Sequence, residues 1–248
     1  MDVIIDYFDD PLKNIAFEEA LFDLSREVYG ETIARIWLSP RSVVIGYSLD
    51  WCEEVYCEEA MATKTPIVRR FTGGGAVYHD LGNINISVAR YSKSFFVDLE
   101  AIFSEATSLI SDVVRELGLE PRVENLNDVV VKGYKVSGSS AAIRRNGYFY
   151  HSTLLVSADI GLLKRLIKPR IDRVLRGEVT FSKYNPGNIS MFTDVSVREV
   201  VEIILGVLER RFGYVSKRRF NNIESEYGER LYREKYLDKF LFKGSVVS

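Results

Sequence analysis

The most informative segment of the sequence reads Arg69-Arg70-Phe71-Thr72-Gly73-Gly74-Gly75-Ala76-Val77-Tyr78-His79-Asp80-Leu81-Gly82-Asn83. Three consecutive glycines permit positive φ and expose backbone N–H groups, which suits a loop that contacts phosphate. The two arginines before them add fixed positive charge in a fork geometry that matches phosphate or carboxylate oxygens. A β-turn flanked by solvated arginines is the simpler alternative. The density of polar side chains around the glycines favours an anion-binding loop.

The spacing of these glycines disfavours the two best-known nucleotide-binding loops. It matches neither the Gly-x-x-x-x-Gly-Lys-Ser/Thr pattern of P-loop NTPases nor the Gly-x-Gly-x-x-Gly pattern of Rossmann dinucleotide sites. Residues 67–70 and 76–79 have the pattern of strands, so the loop connects strands and does not open a helix. The sequence therefore predicts a less common kind of nucleotide site.

The overall composition is that of an ordinary globular domain. The 248 residues are 46% hydrophobic and 27% charged, with a net charge of −2, and a chain of this length can bury a substantial core. The charge balance gives no indication of nucleic acid or an anionic membrane as a partner. The N-terminus lacks the basic and apolar regions of a signal peptide, and no apolar stretch approaches the roughly 18 residues of a membrane span. We expect a cytoplasmic protein with no nucleic-acid and no membrane partner.

The cysteines give no indication of a structural or metal-binding role. Cys52 and Cys57 are five residues apart in an acidic segment, a spacing that matches neither a disulfide framework nor a metal-ligand set. His79 and His151 are the only histidines, which disfavours a structural zinc site. We expect both cysteines to be small, partly packed residues on a helix over residues 51–62.

Apolar periodicity predicts alternating helices and strands along the chain. Helices are expected at residues 98–117, 159–166, 196–212 and 222–240, and a first helix is expected from Asp10-Pro11 to Val28 with Asn14, Glu18 and Glu19 solvated. Strands are expected at residues 32–38, 42–45, 67–70, 76–79, 84–89, 129–131, 134–143 and 148–156, with Asn146-Gly147 as a hairpin turn. Residues 176–188 are expected to form a loop. This order predicts an α+β fold more than a doubly wound sheet.

Three blocks of the sequence resemble the lipoate–protein ligase family, within the biotin and lipoate protein ligase superfamily. Residues 69–83 are similar to that family's signature almost residue for residue. The other two blocks, Asn127-Asp128-Val129-Val130-Val131-Lys132-Gly133-Tyr134-Lys135-Val136-Ser137-Gly138-Ser139-Ser140 and His151-Ser152-Thr153-Leu154-Leu155, look like its lysine motif and a histidine motif. The family often has histidine where Tyr150 stands and glycine or alanine where Ser152 stands. Because of this departure, we expect His151 to position other groups and not to act as an acid or base.

The resemblance extends over nearly the whole chain and implies its fold and domain content. It implies one catalytic domain over residues 1–248, with a largely antiparallel sheet flanked by helices. Full-length members of the family carry a further small C-terminal domain, and we expect this accessory domain to be absent here. A separately encoded small subunit of that kind is therefore an expected partner.

The resemblance also implies a two-step, AMP-forming reaction. Lipoate, the substrate, is activated with ATP in the presence of Mg²⁺ to lipoyl-AMP and pyrophosphate, and the lipoyl group is then transferred to the ε-amine of a lysine. The implied acceptors are the lipoyl domains of 2-oxoacid dehydrogenase complexes or the glycine cleavage H protein. Both steps build negative charge that the site must stabilise.

The family motifs assign roles to individual residues of this sequence. Lys135 is the expected catalytic residue, because a movable point charge can bridge the acid's carboxyl oxygen and the α-phosphate; Lys132 is expected to be solvated. Nucleotide or lipoyl-AMP binding is expected from Arg70, Thr72, Gly73, Gly74, Gly75, Ala76, Val77, Tyr78, His79, Asn83, Lys135, Ser137, Gly138, Ser139, His151 and Thr153. Asp80 is expected to hold a turn. No protein metal ligand is assigned.

Other functions remain open at the level of sequence. Relatives on the same fold transfer octanoyl or lipoyl groups without ATP through a cysteine thioester, but residues 121–131 ahead of the lysine contain no cysteine. A biotin ligase is less well supported because its Gly-Arg-Gly-Arg type of loop is absent, and no Gly-x-Ser-x-Gly elbow supports a Ser–His–Asp hydrolase. A module that binds lipoyl-AMP without full activity is the non-enzymatic alternative.

Overall fold

The computed structural model describes residues 1–93, 98–169 and 184–242 and has a mixed α+β architecture. Its strands are β1 (Asp2–Ile5), β2 (Ile33–Trp37), β3 (Ser42–Ile45), β4 (Ile67–Arg69), β5 (Val77–His79), β6 (Asn83–Tyr91), β7 (Pro121–Glu124), β8 (Asp128–Val131), β9 (Tyr134–Arg144), β10 (Gly147–Leu155), β11 (Asn185–Pro186) and β12 (Ser216–Arg218). Its helices are α1 (Pro11–Leu24), α2 (Cys57–Ala62), α3 (Leu99–Glu116), α4 (Ile160–Leu166), α5 (Val197–Phe212), α6 (Asn222–Leu231) and the short α7 (Leu237–Lys239), with π-helical turns at Ser25–Tyr29 and Tyr232–Tyr236 and a 3₁₀ turn at Ile189–Met191.

Within these residues the strands form two sheets. The large sheet has the order β12-β1-β2-β6-β10-β9-β8-β7, and β11 pairs with β9. Its central pairs, from β2 through β7, are antiparallel, whereas β1 is parallel to both of its neighbours. The small sheet has the order β4-β3-β5. The predicted α+β class, with a largely antiparallel sheet flanked by helices, is confirmed.

Helices α3 and α5 cover one face of the large sheet. The stripe of α3 that includes Ile102, Leu109 and Val113 is fully buried against β9 and β10, and α5 packs on α3. Burying a side chain of this size contributes roughly 1.5–3 kcal/mol relative to leaving it exposed. Asp98 caps α3, and Ser196 forms a capping box at the start of α5. Both helices therefore begin where the sequence predicts them.

Helix α1 lies between the two sheets on the opposite face. Asp10 accepts hydrogen bonds from the first-turn N–H groups of α1, as its position before Pro11 predicts. Further along, Ile15 belongs to one apolar cluster with Trp37 of the large sheet and Val44 of the small one. The space between the sheets, next to α1, is where the residues of the family motifs meet.

The polar residues of α1 are buried, so the prediction that they are solvated is wrong. The Asn14 side chain binds Arg35, and Glu19 accepts hydrogen bonds from Lys235, Tyr236 and Arg144. Desolvation raises the pKa of Glu19, but these three donors outweigh it and lower the pKa overall. Long-range partners make the burial of these groups possible, and helical periodicity carries no information about such partners.

The cysteines also depart from expectation, because Cys52 and Cys57 form a disulfide. The predicted helix over residues 51–62 is shorter than expected: α2 starts at Cys57, and the preceding residues form turns. The turn brings the two Cα atoms to 5.5 Å, a separation that a disulfide spans. Of the predicted loop at 176–188, residues 176–183 lie outside the described residues. No helix in the described part of the chain is long and apolar enough to cross a membrane.

Candidate active site

A cavity of about 230 Å³ lies between the two sheets and is lined by residues from all three motif blocks. Its walls come from the glycine loop after β4, from β5, and from the facing strands β8, β9 and β10. Ile15 of α1 and Val44 of β3 provide apolar surface, and most of the remaining side chains are polar. A concave pocket with convergent polar groups is the usual setting of a ligand site.

Arg70 fixes the glycine loop from inside. Its guanidinium is buried, and it donates hydrogen bonds to the carbonyl oxygens of Val44 at 3.1 Å and Gly73 at 2.6 Å, and to the Thr72 hydroxyl at 3.0 Å. The hydroxyl of Ser140 on β9 also donates to the Gly73 carbonyl, at 2.9 Å. Gly74 has a φ of +85°, and a Cβ there would lie 3.1 Å from the Arg70 guanidinium. The positive φ therefore favours glycine at this position, and a side chain there would also displace the Arg70 guanidinium slightly.

The loop is also supported from behind by residues that the sequence analysis did not identify. A Cβ on Gly46, which follows β3, would lie only 1.9 Å from the Gly74 carbonyl oxygen. The N–H of Tyr47 donates to the carbonyl of Thr72 at 2.9 Å. At the other end of the loop, the N–H of Ala76 donates to the buried carboxylate of Glu54 at 2.7 Å. The backbone of the loop is therefore held on both sides of the glycines.

A line of polar groups, buried except for the partly exposed His151, connects α1 to the loop. Glu18 accepts hydrogen bonds from the Trp37 indole at 3.1 Å and from the Ser87 hydroxyl, and its other oxygen lies 3.0 Å from Nδ1 of His151. Nε2 of His151 lies 2.9 Å from the Thr72 hydroxyl. Desolvation raises the pKa of Glu18, but His151 and Ser87 outweigh it and lower the pKa overall. An ionised Glu18 can therefore orient the His151 ring and, through it, the loop.

Lys135 extends into the pocket from the facing wall. Its Nζ is 2.6 Å from Oδ1 of Asp128 on β8, and the lysine side chain is 33% exposed while the aspartate is buried. The pairing of β8 with β9 shifts by one residue between Val129 and Val130, and such a bulge can redirect a side chain. A Cβ on Gly138 would lie 3.2 Å from Cε of Lys135, so glycine leaves room for the lysine to lie along β9.

His79 presents a neutral ring to the cavity. It is buried, and its Nδ1 has no hydrogen-bond partner among the described residues. Burial lowers the pKa of His79 to about 3, and although Glu18 opposes this shift, His151 and Arg70 reinforce it. The ring is therefore uncharged near neutral pH, and its Nδ1 is buried in the wall of the cavity.

Most of the predicted site residues line the cavity. These are Arg70, Gly74, Gly75, Ala76, Val77, His79, Lys135, Gly138, Ser139, His151 and Thr153. The remaining predicted residues, which do not line it, are Thr72, Gly73, Tyr78, Asn83 and Ser137.

The predicted residues outside the cavity wall have other surroundings. Thr72 and Gly73 bind Arg70 behind the loop, and Tyr78 is buried in the core of the small sheet. Asn83 donates to the Tyr78 carbonyl at 3.2 Å, while its own side-chain oxygen and the Ser137 hydroxyl are buried without a partner in the described chain. These residues support the loop and the strands next to the cavity.

Three further residues can be placed relative to the cavity. Arg69 turns away from it and donates to the carbonyl oxygens of residues 46, 47 and 49. Lys132 is exposed at the turn between β8 and β9, as expected. Asp80 holds its turn, also as expected, by accepting hydrogen bonds from the N–H groups of Gly82 and Asp159.

Several residues that line the cavity were not predicted. They are Ile15, Val44, Asn85, Asn125, Asn127, Asp128, Ser140 and Ser152. Asn127, Asp128 and Ser140 lie inside the lysine block, so that block contained a usable signal for them. Ile15 and Val44 have the sequence pattern of ordinary core residues. Only the packing of α1 and the small sheet around the cavity identifies them as cavity-lining residues.

Comparison with known proteins identifies the same family as the three motif blocks. The family model of the lipoyl protein ligase A/B catalytic domain matches residues 10–209. A candidate lipoate-protein ligase A of Aeropyrum pernix is 46% identical over 183 residues, which are 74% of this chain and 68% of that protein.

Three solved structures have closely similar folds. A lipoate ligase candidate of Thermoplasma acidophilum with bound lipoic acid has a TM-score of 0.81 at 26% identity, over 94% of each chain. A structure from the study of a bipartite lipoate ligase and its E2 lipoyl domain, also from Thermoplasma acidophilum, has a TM-score of 0.80 at 28% identity, over 95% of this chain and 94% of that chain. A lipoate-protein ligase A bound with ATP has a TM-score of 0.81 at 27% identity, over 95% of this chain and 96% of that chain. With this fold, these motifs and this family match, the chain belongs to the lipoate-protein ligase family.

Proposed function

We propose that this protein activates lipoate with ATP to lipoyl-AMP and then transfers the lipoyl group to a lysine of an acceptor lipoyl domain. The observation that carries the proposal is the position of Lys135, which faces the glycine loop across one cavity. Similar folds bind lipoic acid in one relative and ATP in another. A site that joins the two ligands needs a cation close to both.

Lys135 has the properties that this reaction requires. Its Nζ is paired with Asp128, yet a third of the side chain is exposed, so the ammonium can shift toward a ligand. In the first step it would stabilise charge on the α-phosphate and the attacking carboxylate. In the second it would stabilise the oxygen of the acyl carbonyl as the acceptor amine attacks. Removing one such stabilising group typically costs about 2.7–4 kcal/mol of barrier.

The glycine loop and His79 would bind and orient the phosphates. The residues from Gly74 to Ala76 line the cavity and bring backbone close to the ligand. A neutral His79 would line the phosphate site without adding charge, because burial keeps its pKa at about 3. His151 would act by positioning, since Glu18 holds one ring nitrogen and Thr72 the other.

The site fits a magnesium ion that is bound mainly by phosphate. Asp128 is the only carboxylate among the described cavity-lining residues, and no group of three or more potential ligands is found in residues 1–93, 98–169 and 184–242. Mg²⁺ commonly keeps several waters and takes one or two carboxylates together with substrate phosphates. When bound, it would neutralise phosphate charge. Asp128 is the residue of this chain that would contact it.

We also propose two protein partners. The acceptor would be a lipoyl domain, and a separate small subunit would assist activation. The support comes from the fold similarity to a structure from the study of a bipartite ligase and its E2 lipoyl domain. Closing a glycine-lined loop over ATP excludes water, and a second subunit can favour the closed population.

The ATP-independent acyltransferase is less well supported. That chemistry needs a thiolate near the lysine. The sequence contains two cysteines, and they are joined to each other in a disulfide. Neither cysteine lines the cavity.

Mass spectrometry of a purified acceptor lipoyl domain tests the proposed function. The domain is incubated with this protein, lipoate and Mg²⁺, with and without ATP, and in parallel with synthetic lipoyl-AMP. We expect the mass of one lipoyl group to be added in the presence of ATP or lipoyl-AMP and not in their absence. Addition without either would favour the acyltransferase, and lipoyl-AMP binding without any addition would favour a binding module.

The same assay tests the need for a second subunit. If activation depends on that subunit, this chain alone transfers from lipoyl-AMP much faster than it modifies the acceptor from lipoate and ATP. Equal rates of the two reactions would show that the chain needs no partner.

A further inference from the structure

The disulfide lies outside the cavity but encloses a residue that contacts the glycine loop. Cys52 and Cys57 close a short ring of chain, and Glu54 is inside it. The Glu54 carboxylate is buried and accepts the hydrogen bond of the Ala76 N–H at 2.7 Å. Ala76 directly follows the three glycines and lines the cavity. The disulfide ring is therefore connected to the backbone of the proposed phosphate-binding loop through the hydrogen bond between Glu54 and Ala76.

The segment that carries Glu54 is docked on the rest of the protein from one side. The backbone carbonyl of Glu54 accepts a hydrogen bond from the N–H of Lys168 at 2.9 Å, and the Lys168 ammonium donates to the carbonyl of Cys52 at 2.8 Å. The N–H of Tyr56 donates to the carbonyl of Leu166 at 2.9 Å. These contacts fix the backbone of the segment against the end of α4, and the disulfide ties the segment to the start of α2.

We propose that the Cys52–Cys57 disulfide is a redox-sensitive brace that positions Glu54 on the Ala76 N–H and so sets the affinity of the glycine loop for the phosphates of ATP. Glu54 is a positioning residue, because it acts through Ala76. The inference rests on the proposed function only in naming ATP as the ligand.

The physical basis is the conformational freedom of the loop. Three glycines allow many backbone conformations, and a hydrogen bond from a buried carboxylate restricts the residue that follows them. A short covalent ring removes alternative conformations of the segment that carries the carboxylate. When the disulfide is reduced, the glycine loop is less ordered before ATP binds. Part of the cost of ordering it is then met on binding, and the affinity for ATP falls.

The opening step is a thiol–disulfide exchange with a small dithiol. The S–S bond of the protein breaks, the two dithiol sulfurs form a new disulfide, and their two protons pass to Cys52 and Cys57 as thiols. Oxidation by a small disulfide reverses the exchange.

The test measures binding of a non-hydrolysable ATP analogue by calorimetry, with oxidised and dithiothreitol-reduced protein and no lipoate present. Leaving out lipoate prevents the reductant from acting on the substrate. Reduction is verified by the mass added on alkylation. We expect reduction to weaken binding about three- to tenfold, and the double variant Cys52→Ser, Cys57→Ser to bind like reduced protein whether or not dithiothreitol is present.

Variants at Glu54 test whether the effect passes through the carboxylate. Glu54→Ala should weaken binding by about tenfold, and reduction should then have little further effect, because the two changes remove the same contact. Glu54→Gln retains an acceptor oxygen and should recover part of the affinity. The exposed neighbour variant Glu53→Ala is the matched control and should bind like wild type.

Hydrogen exchange of the ligand-free protein separates failure of this inference from failure of the proposed function. The Ala76 amide should exchange faster in reduced protein and in Glu54→Ala, even if the protein bound no ATP at all. The inference is overturned if verified reduction changes neither affinity nor exchange at Ala76, or if the effects of reduction and Glu54→Ala on affinity are additive.

Discussion

The two walls of the cavity hold their charges in different ways. On the loop wall, formed by the glycine loop with Arg70, His79 and the supporting Glu18, the polar side chains are buried. Arg70 and Glu18 are hydrogen-bonded to backbone or to other side chains. On the lysine wall, formed by Lys135, Asp128 and Gly138, the cation is one-third exposed. A wall of fixed dipoles suits ligand binding, whereas a cation with freedom to move can follow charge between two reaction steps.

This comparison predicts different consequences for the two walls. Changes on the lysine wall should lower kcat and leave folding almost unaffected. Changes on the loop wall should reduce ligand affinity and stability together, because the same contacts hold the ligand-binding backbone and the protein core.

The largest effect is expected from Lys135→Gln. The amide retains a donor for Asp128, so the buried carboxylate keeps a partner, but the positive charge is lost. We expect kcat to fall by a factor on the order of a thousand for both activation and transfer from lipoyl-AMP. Thermal unfolding should show a melting temperature close to that of wild type.

The matched control is Lys132→Gln, which changes an exposed lysine three residues earlier on the turn between β8 and β9. It should be as active as wild type. Wild-type turnover by Lys135→Gln would remove Lys135 from the catalytic role.

On the loop wall, Gly46→Ala should give the next largest effect. Gly46→Ala places a Cβ 1.9 Å from the Gly74 carbonyl oxygen, so backbone must move. We expect a loss of stability of about 1–3 kcal/mol together with at least tenfold weaker ATP binding. Denaturant unfolding and calorimetry measure the two quantities.

Gly73→Ala is the control for this variant because a Cβ there meets no atom within 4 Å and the φ is not positive. It should have almost no effect on stability. Similar losses of stability in both variants would mean that the close contact between Gly46 and Gly74 has no special importance.

A smaller effect is expected from Asp128→Asn on the lysine wall. The amide oxygen still accepts a hydrogen bond from Lys135, but the opposite charge that holds the ammonium is lost. We expect kcat to fall about tenfold, as for the loss of one charge-assisted hydrogen bond, with a smaller change in KM for ATP. Steady-state kinetics separate the two constants, and an effect confined to KM would limit Asp128 to binding of the magnesium nucleotide.

The lysine wall was largely predictable from sequence because its information is local. The strands β8, β9 and β10 follow one another, and the lysine block lies on β8 and β9. The hairpin between β9 and β10 turns at Arg145-Asn146, one residue before the predicted Asn146-Gly147. Alternation and turn chemistry are enough to predict such an arrangement.

The supports of the loop wall were not predictable because their partners are distant in sequence. Glu18 is 133 residues from His151, and Gly46 has no sequence pattern that indicates contact with Gly74. The disulfide depends on a turn that a spacing of five residues does not specify. The strands β1 and β12 were also missed, since their pairing is parallel and joins segments that are far apart in the sequence.

The last prediction concerns the dependence of stability on pH that arises from His79. Burial lowers the pKa of the folded His79 to about 3, below its ordinary value of 6.5. Between these two values the unfolded chain takes up a proton that the folded protein does not. Stability should therefore fall as the pH decreases below about 6.5, by up to about 1.4 kcal/mol per pH unit.

Denaturant unfolding from about pH 7.5 to about pH 5 measures this contribution, because most carboxylates stay ionised in that range. Wild type should lose about 2 kcal/mol more than His79→Gln over the range, since glutamine takes up no proton in either state. The buried carboxylate of Glu18 also has a lowered pKa, so the stability that it contributes is lost at lower pH. Parallel pH curves for wild type and His79→Gln would show that the folded protein can protonate His79, and the loop wall would then be less rigid than the comparison of the two walls requires.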